Sequence, residues 1–64
     1  MKVREVVRML EEDGWRLVRQ SGSHRQYQHD DKPGTVTVAG NLGVEMPPGT
    51  LASVRRQAGI RGSG

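Results

Sequence analysis

The amino-acid sequence predicts an α+β domain in which two helices cover one face of a three-stranded antiparallel sheet. Three features predict it: a helix-spaced apolar pattern at the start, three strand-like runs in the middle, and a second helical pattern near the end. Each helix has one apolar stripe to bury, so both must pack on the same sheet face and leave the other open. With 64 residues there is room for one modest core. We expect a single domain over residues 1–60 and a flexible tail over residues 61–64.

The first helix is predicted over residues 2–13. Its apolar residues recur at positions i, i+3, i+4 and i+7, the spacing of one helix face. They are Val3, Val6, Val7 and Leu10. Gly14 follows, and a glycine after the last periodic residue commonly ends a helix.

Two strands are predicted over residues 15–20 and 24–29, joined by a Ser-Gly-Ser turn at residues 21–23. A turn-rich segment at residues 30–34 follows, and the β-branched run at residues 35–38 can add a third antiparallel strand. The three strands form a meander.

The second helix is predicted over residues 51–58, after an irregular loop over residues 39–49 that is rich in glycine and proline. Thr50 is the expected cap and Gly59 the expected end. The apolar stripe is narrow, with one further hydrophobic contact after the helix. These residues are Leu51, Val54 and Ala58, followed by Ile60.

Alternation along the second strand separates its two faces. One face holds Arg25, Tyr27 and His29, and the other holds His24, Gln26 and Gln28. Since Tyr27 is the only large apolar residue there, we expect it to face the helices and His24 to lie on the open face. A three-residue turn would pair Leu17 with Tyr27. It would also set Gln20 opposite His24. A two-residue turn would instead bring Val18 to Tyr27, and we favour the three-residue turn.

His24 is the first candidate for a catalytic residue. RNA carries its own nucleophile in the 2′-hydroxyl, so its cleavage needs mainly a proton acceptor and a group that stabilises charge on the phosphate. Imidazole can accept that proton near neutral pH, and arginine can stabilise the charge. Arg16 and Arg25 rank first by expected nearness to His24, and Arg19 ranks next. The competing interpretation is a solvated surface histidine without a catalytic role.

The other polar residues near the strands have simpler explanations. His29 adjoins two aspartates at a strand end, where a turn role or solvation is expected, although it could in principle serve as a matching acid. Gly22 and Ser23 suit the geometry and hydrogen bonding of a turn. The spacing of the two histidines matches no metal motif, and no carboxylate or cysteine cluster completes one. We predict no metal and no small-molecule cofactor.

The charge balance favours polyanionic partners. Ten Lys and Arg oppose seven Asp and Glu, for a formal charge of +3. Most of the cations are arginines, which suit bidentate phosphate contacts. Cysteine is absent, which excludes a disulfide framework. The chain opens without a long apolar run or a signal-peptide pattern, so we expect a cytoplasmic protein with no membrane partner.

Several short motifs follow one another along nearly the whole chain. They are Gly14-Trp15, Arg-Gln-Ser-Gly-Ser-His-Arg-Gln-Tyr at residues 19–27, Lys-Pro-Gly at residues 32–34, Thr-Val-Thr-Val at residues 35–38, Pro-Gly-Thr-Leu at residues 48–51 and Arg-Gln-Ala-Gly-Ile at residues 56–60. In this order and at these distances they resemble the HicA-like (YcfA-type) toxin family. The combination is specific, whereas any one motif alone is not.

The resemblance implies a fold similar to a double-stranded-RNA-binding domain and activity as an mRNA interferase, a toxin of a type II toxin–antitoxin system. It implies that His24, in the Gly-Ser-His motif, is the catalytic residue, with Gly22 and Ser23 positioning the RNA. It also implies a HicB-like antitoxin as the protein partner that masks the site. The chain departs from the family in the loop before the last helix. Such toxins often carry a histidine and a lysine there, where this chain has Asn41 and Val44.

Two other functions remain open from the sequence. The first is a non-catalytic RNA-binding module, because this fold can recognise duplex RNA by shape and phosphate contacts. The last helix disfavours it, since it lacks a lysine-rich start and carries only Arg55 and Arg56. The second is a pure interaction protein whose basic surface meets an acidic partner.

Overall fold

The computed structural model describes residues 1–61. Helix α1 spans Val3–Glu12, strands β1, β2 and β3 span Trp15–Ser21, His24–His29 and Val36–Val38, and helix α2 spans Pro48–Ala58. The strands form one antiparallel sheet in the order β1-β2-β3. The predicted α+β architecture and element order are confirmed. Most of the predicted tail, residues 62–64, lies outside the described residues. Neither helix of the described part is long and apolar enough to span a membrane.

One core lies between the two helices and one face of the sheet. Its members are at most 5% exposed and come from both helices, all three strands and the loop before α2. They are Val3, Val6, Leu10, Trp15, Tyr27, Val36, Val38, Met46, Val54 and Ala58. Burying each large apolar side chain stabilises the fold by about 1.5–3 kcal/mol. Val7, Leu51 and Ile60 pack at the edge of this core. Both predicted apolar stripes therefore cover the same sheet face.

The loop over residues 39–47 supplies acceptors for the first amides of α1. The Val3 N–H donates to the Val44 oxygen at 2.9 Å, and the Arg4 N–H donates to the Leu42 oxygen at 3.0 Å. Amides in the first turn of a helix lack partners within the helix, so these bonds replace a side-chain cap. The loop is irregular, as predicted, and it is anchored against α1.

Helix α2 begins at Pro48 and not at Leu51. The prediction of Thr50 as the cap is wrong, because Pro47 holds the cap position and no side chain bonds the first amides. Proline suits the first helical position, where its missing N–H would have no partner and its fixed φ already matches the helix. The Leu51 N–H then donates to the Pro47 oxygen at 2.9 Å. The predicted end at Gly59 is confirmed.

The turn between β1 and β2 has two residues, Gly22 and Ser23, so the three-residue turn is wrong. Ser21 pairs directly with His24. The expected partner, Gln20, lies one position further from the turn. Strand β1 is longer than predicted by one residue, Ser21, and this residue lies opposite the histidine.

A bulge in β1 reconciles this turn with the packing of Tyr27. The pairing shifts between Leu17 and Arg19, which leaves Val18 as the extra residue of β1. Leu17 therefore still pairs with Tyr27, as predicted. Without the bulge a two-residue turn would have paired Val18 with Tyr27.

Lys32 joins the C-terminal ends of the two helices. Its ammonium donates to the Asp13 carboxylate at 2.6 Å and to the main-chain oxygens of Ala58 at 3.1 Å and Gly59 at 3.4 Å. A cation is favourable there because helix C-termini carry partial negative charge. The hydrogen bond from Lys32 lowers the pKa of Asp13 from its ordinary value.

Candidate functional site

His24 lies on the sheet face that the helices leave uncovered. Its side chain is exposed, whereas Tyr27, on the opposite face of the same strand, is 1% exposed. The alternation predicted for β2 is therefore confirmed, and the imidazole of His24 is accessible to a large ligand.

A pocket on this open face is lined by Arg19, Ser21, His24 and Gln26. The strand pairing explains the grouping, since Ser21 pairs with His24 and Arg19 pairs with Gln26. Directly paired residues on one face have Cβ atoms about 4.5–5.5 Å apart. The pocket therefore gathers a group that can exchange protons, a permanent cation, a hydroxyl and an amide.

The turn that precedes His24 leaves open space beside the pocket. Gly22 has a φ of +58°, which favours glycine, and a Cβ built on it would meet no atom within 4 Å. The Gln20 side-chain amide donates to the Gly22 oxygen at 3.1 Å and holds the turn in place. Gly22 and Ser23, predicted to position substrate, thus form the open edge next to the histidine.

The arginines differ in their relation to the pocket. Arg19 lines it together with His24. Arg16 pairs with Gln28 further along the sheet, and its guanidinium lies 2.6 Å from the Asp30 carboxylate. Arg16 therefore belongs to the open face but is engaged at the end remote from the turn.

Arg25 points away from the open face and is half-buried. Its guanidinium donates to the main-chain oxygens of Ser23 at 3.2 Å and Gly40 at 2.9 Å, so it joins the turn to the loop that follows β3. Of the three arginines named from the sequence, Arg19 lines the pocket with His24, whereas Arg16 and Arg25 do not. The orientation of Arg25 agrees with the alternation of β2, which puts Arg25 on the face of Tyr27. The RNA-binding role of these arginines remains a prediction.

His29 has a structural role at the opposite end of β2. Its Nε2 lies 2.6 Å from the Asp13 main-chain oxygen, which can only accept, so Nε2 carries the hydrogen. Its Nδ1 accepts from the main-chain N–H groups of Asp31 at 3.0 Å and Lys32 at 3.2 Å. The ring also meets Trp15 edge to face, with centroids 5.2 Å apart. Both nitrogens are engaged, and the turn role considered from the sequence is the one observed.

The loop positions where the chain departs from the HicA pattern are exposed. Asn41 and Val44 lie near the start of α1, and the Val44 N–H donates to the Asn41 oxygen at 3.1 Å. Neither residue lines the pocket of His24. Within residues 1–61, no three His, Asp or Glu side chains gather as possible metal ligands.

Two residues of the pocket were not among the predicted site residues. The three-residue turn favoured from the sequence includes Ser21, whereas the alternative two-residue turn places Ser21 opposite His24. Alternation predicts the correct face for Gln26, but a glutamine by itself does not indicate a functional site. Both enter the site through strand pairing.

The comparison with known families agrees with the motifs. A family model described as "HicA toxin of bacterial toxin-antitoxin" matches residues 3–60, which include both helices and all three strands. No curated protein matches the chain closely enough to add a named relative. Because the match covers nearly the whole chain, this protein belongs to the HicA toxin family of bacterial toxin–antitoxin systems.

Proposed function

We propose that this chain is an mRNA interferase, an endoribonuclease that uses His24 as its general base and needs no metal. The observation that carries the proposal is the pocket on the open face, where His24 and Arg19 lie together. A single strand of RNA can reach this face because neither helix covers it. The proposed place of action is the cytoplasm, where mRNA is translated.

The proposed reaction is transfer of the phosphate to the neighbouring 2′-oxygen. His24 accepts the proton of the 2′-hydroxyl as that oxygen attacks phosphorus. The bond to the 5′-oxygen breaks, and the leaving oxygen takes a proton from solvent. Arg19 stabilises the negative charge that develops on the phosphate oxygens. The products are a 2′,3′-cyclic phosphate and a 5′-hydroxyl.

The other pocket residues fit substrate positioning. The Ser21 hydroxyl and the Gln26 amide can each donate and accept hydrogen bonds. The open space at Gly22 leaves room for the backbone of the RNA beside His24. We propose that these residues orient the reacting phosphate, and that a HicB-like antitoxin inhibits the toxin by covering this face.

Cleavage of a long single-stranded RNA in EDTA tests the proposal. The purified chain is compared with His24→Ala and with Gln28→Ala, a matched control on the same strand and the same face. We expect His24→Ala to abolish cutting and Gln28→Ala to leave it within about threefold. A general base typically contributes about a hundred- to ten-thousand-fold. Equal cutting by all three proteins, or products with 3′-hydroxyl ends, would contradict the mechanism.

The second candidate is an RNA-binding module that does not cut. The polar open face favours it, since amide and guanidinium groups suit RNA binding without chemistry. RNA binding measured beside cleavage separates the two functions. A His24→Ala protein that binds RNA normally but no longer cuts it supports catalysis. RNA binding without cleavage by the unmodified chain supports the module.

A further inference from the structure

Helix α2 carries a groove that shares no residue with the pocket of His24. Beside Pro48, its lining comprises three aliphatic residues, which we call the floor, and three arginines, which we call the rim: Leu51, Ala52 and Ile60, and Arg55, Arg56 and Arg61. We refer to these six residues as the α2 groove. A ligand in this groove would not compete directly for the groups of the candidate catalytic pocket.

The floor of the α2 groove is aliphatic and only partly covered. Leu51 and Ile60 are half-buried at the edge of the core, and Ala52 is exposed. An apolar floor bordered by polar groups is typical of a site that binds another protein. Nucleic acid would use the arginines but would gain little from aliphatic side chains.

The rim of the groove carries positive charge that is not neutralised within residues 1–61. The ion pairs of this part of the chain involve Glu45, Asp30 and Asp13, and none includes an arginine of the groove. The helix dipole accounts for cations near the end of α2. It does not account for three of them around an apolar floor.

Arg55 is the groove arginine whose buried part is left unsatisfied by the described chain. Its Nε is buried and has no hydrogen-bond partner within the described chain. Its Nη2 meets only the sulfur of Met1 at 3.5 Å, and a thioether is a weak acceptor. Carboxylate and phosphate both match the geometry of a guanidinium, and the aliphatic side chains beside Arg55 favour a carboxylate carried by a protein.

We propose that the α2 groove binds an acidic, amphipathic protein segment. Its aliphatic side chains cover Leu51 and Ile60, and its carboxylates pair with Arg55, Arg56 and Arg61. The antitoxin that family membership implies is the first protein in which to look for such a segment. The proposal does not depend on RNA cleavage, and either can fail without the other.

A displayed library of random peptides tests the groove without assuming the sequence of its partner. Peptides of about 16 residues, roughly four helical turns, are selected on the intact chain, and the best is synthesised with a fluorescent label. We expect the selected peptides to combine Asp or Glu with Leu, Ile or Phe at helical spacing. Arg56→Glu/Arg61→Glu, at two exposed positions, should weaken binding at least about tenfold. The control, Arg16→Glu/Arg19→Glu, changes the net charge equally but on the sheet, and should leave binding within about twofold.

Amide chemical shifts of the unmodified chain locate the contact and do not depend on how the variants fold. Shifts at Leu51, Ala52 and Ile60 on adding the peptide support the proposal. Selection of peptides without acidic residues, or equal loss of binding in both double variants, overturns it. Shifts of the same amides on adding a single-stranded RNA, with none on adding the peptide, reassign the groove to nucleic acid and also overturn it.

Discussion

The Nε2 of His29 lies 2.6 Å from the main-chain oxygen of Asp13, the residue that caps the end of helix α1. This bond fastens the helix end to the last residue of β2. The two histidines of the chain therefore differ in role. His29 bonds to the backbone through both ring nitrogens, whereas His24 is exposed and makes no comparable set of bonds to the backbone within residues 1–61.

The first prediction follows from this difference in role. His29→Ala should lower the free energy of unfolding by roughly 1–2 kcal/mol, because the bonds at Asp13, Asp31 and Lys32 are lost. His24→Ala should change it by less than about 0.5 kcal/mol, as is usual for an exposed residue. Urea denaturation followed by circular dichroism measures both. A larger loss for His24→Ala than for His29→Ala would contradict the assignment.

Gly14→Ala should destabilise the protein by more than about 1 kcal/mol. Gly14 has a φ of +100°, and a Cβ there would lie 2.8 Å from the Nε2 of His29. In a His29→Ala background the clash disappears and only the backbone cost remains, so the effects of the two changes should not add. Denaturation of both single variants and the double variant tests this, and simple additivity would refute a clash with the ring.

The ion pair between Lys32 and Asp13 should make stability depend on acid pH. The hydrogen bond from Lys32 lowers the pKa of Asp13, so the folded chain binds this proton less tightly than the unfolded chain. The resulting stability is present above the ordinary carboxyl pKa and is lost as pH falls below about 4. Because both side chains are about one-third exposed, at 33% and 34%, we expect the ion pair to stabilise the folded chain by only about 0.5–1 kcal/mol.

Lys32→Met isolates this contribution. The stability difference between the unmodified chain and the variant should be larger at about pH 7 than at about pH 2, because protonated Asp13 no longer attracts the ammonium. The bonds to Ala58 and Gly59 contribute at both pH values. A difference that grows as pH falls would show that the sign of the linkage is wrong.

Tyr27 should limit stability at alkaline pH. Burial raises the pKa of Tyr27, so the folded chain holds this proton more tightly than the unfolded chain. The stabilisation that comes from this difference in pKa is fully present below the ordinary tyrosine pKa of about 10 and is lost as pH rises above it. Tyr27 is the single tyrosine, so phenolate absorbance reports it alone. Ionisation that precedes unfolding on raising the pH would contradict the prediction.

Arg19 and Arg16 should differ in their effect on cleavage. Arg19→Ala should lower the rate constant of the cleavage step by about ten- to a hundredfold, since Arg19 lines the pocket with His24. Arg16→Ala should change it by less than about threefold, because Arg16 is 62% exposed and engaged by Asp30. Single-turnover cleavage of one RNA by both variants makes the comparison. An equal loss in the two would indicate a general effect of charge.

The sequence by itself determined the order of the elements, the buried faces of both helices and the position of His24 on the open face. These features follow from local periodicity: about 3.6 residues per turn in helices and two per repeat in strands. Tyr27 was decisive, because a single large apolar residue assigns the faces of β2. The resemblance to HicA toxins rested on the same local motifs, and the family match confirms it.

Only the tertiary structure decided which groups accompany His24. The turn at Gly22 and Ser23 calls for one register and the Leu17–Tyr27 pair for another, and the bulge at Val18 allows both. That compromise depends on packing between distant parts of the chain and leaves no local pattern, so the sequence could not decide between the two turn lengths or show that Ser21 and Arg19 lie on the strand positions facing His24 and Gln26. The bonds of Lys32 to both helix ends could not be predicted from a local pattern either, because they join segments that are far apart in the sequence.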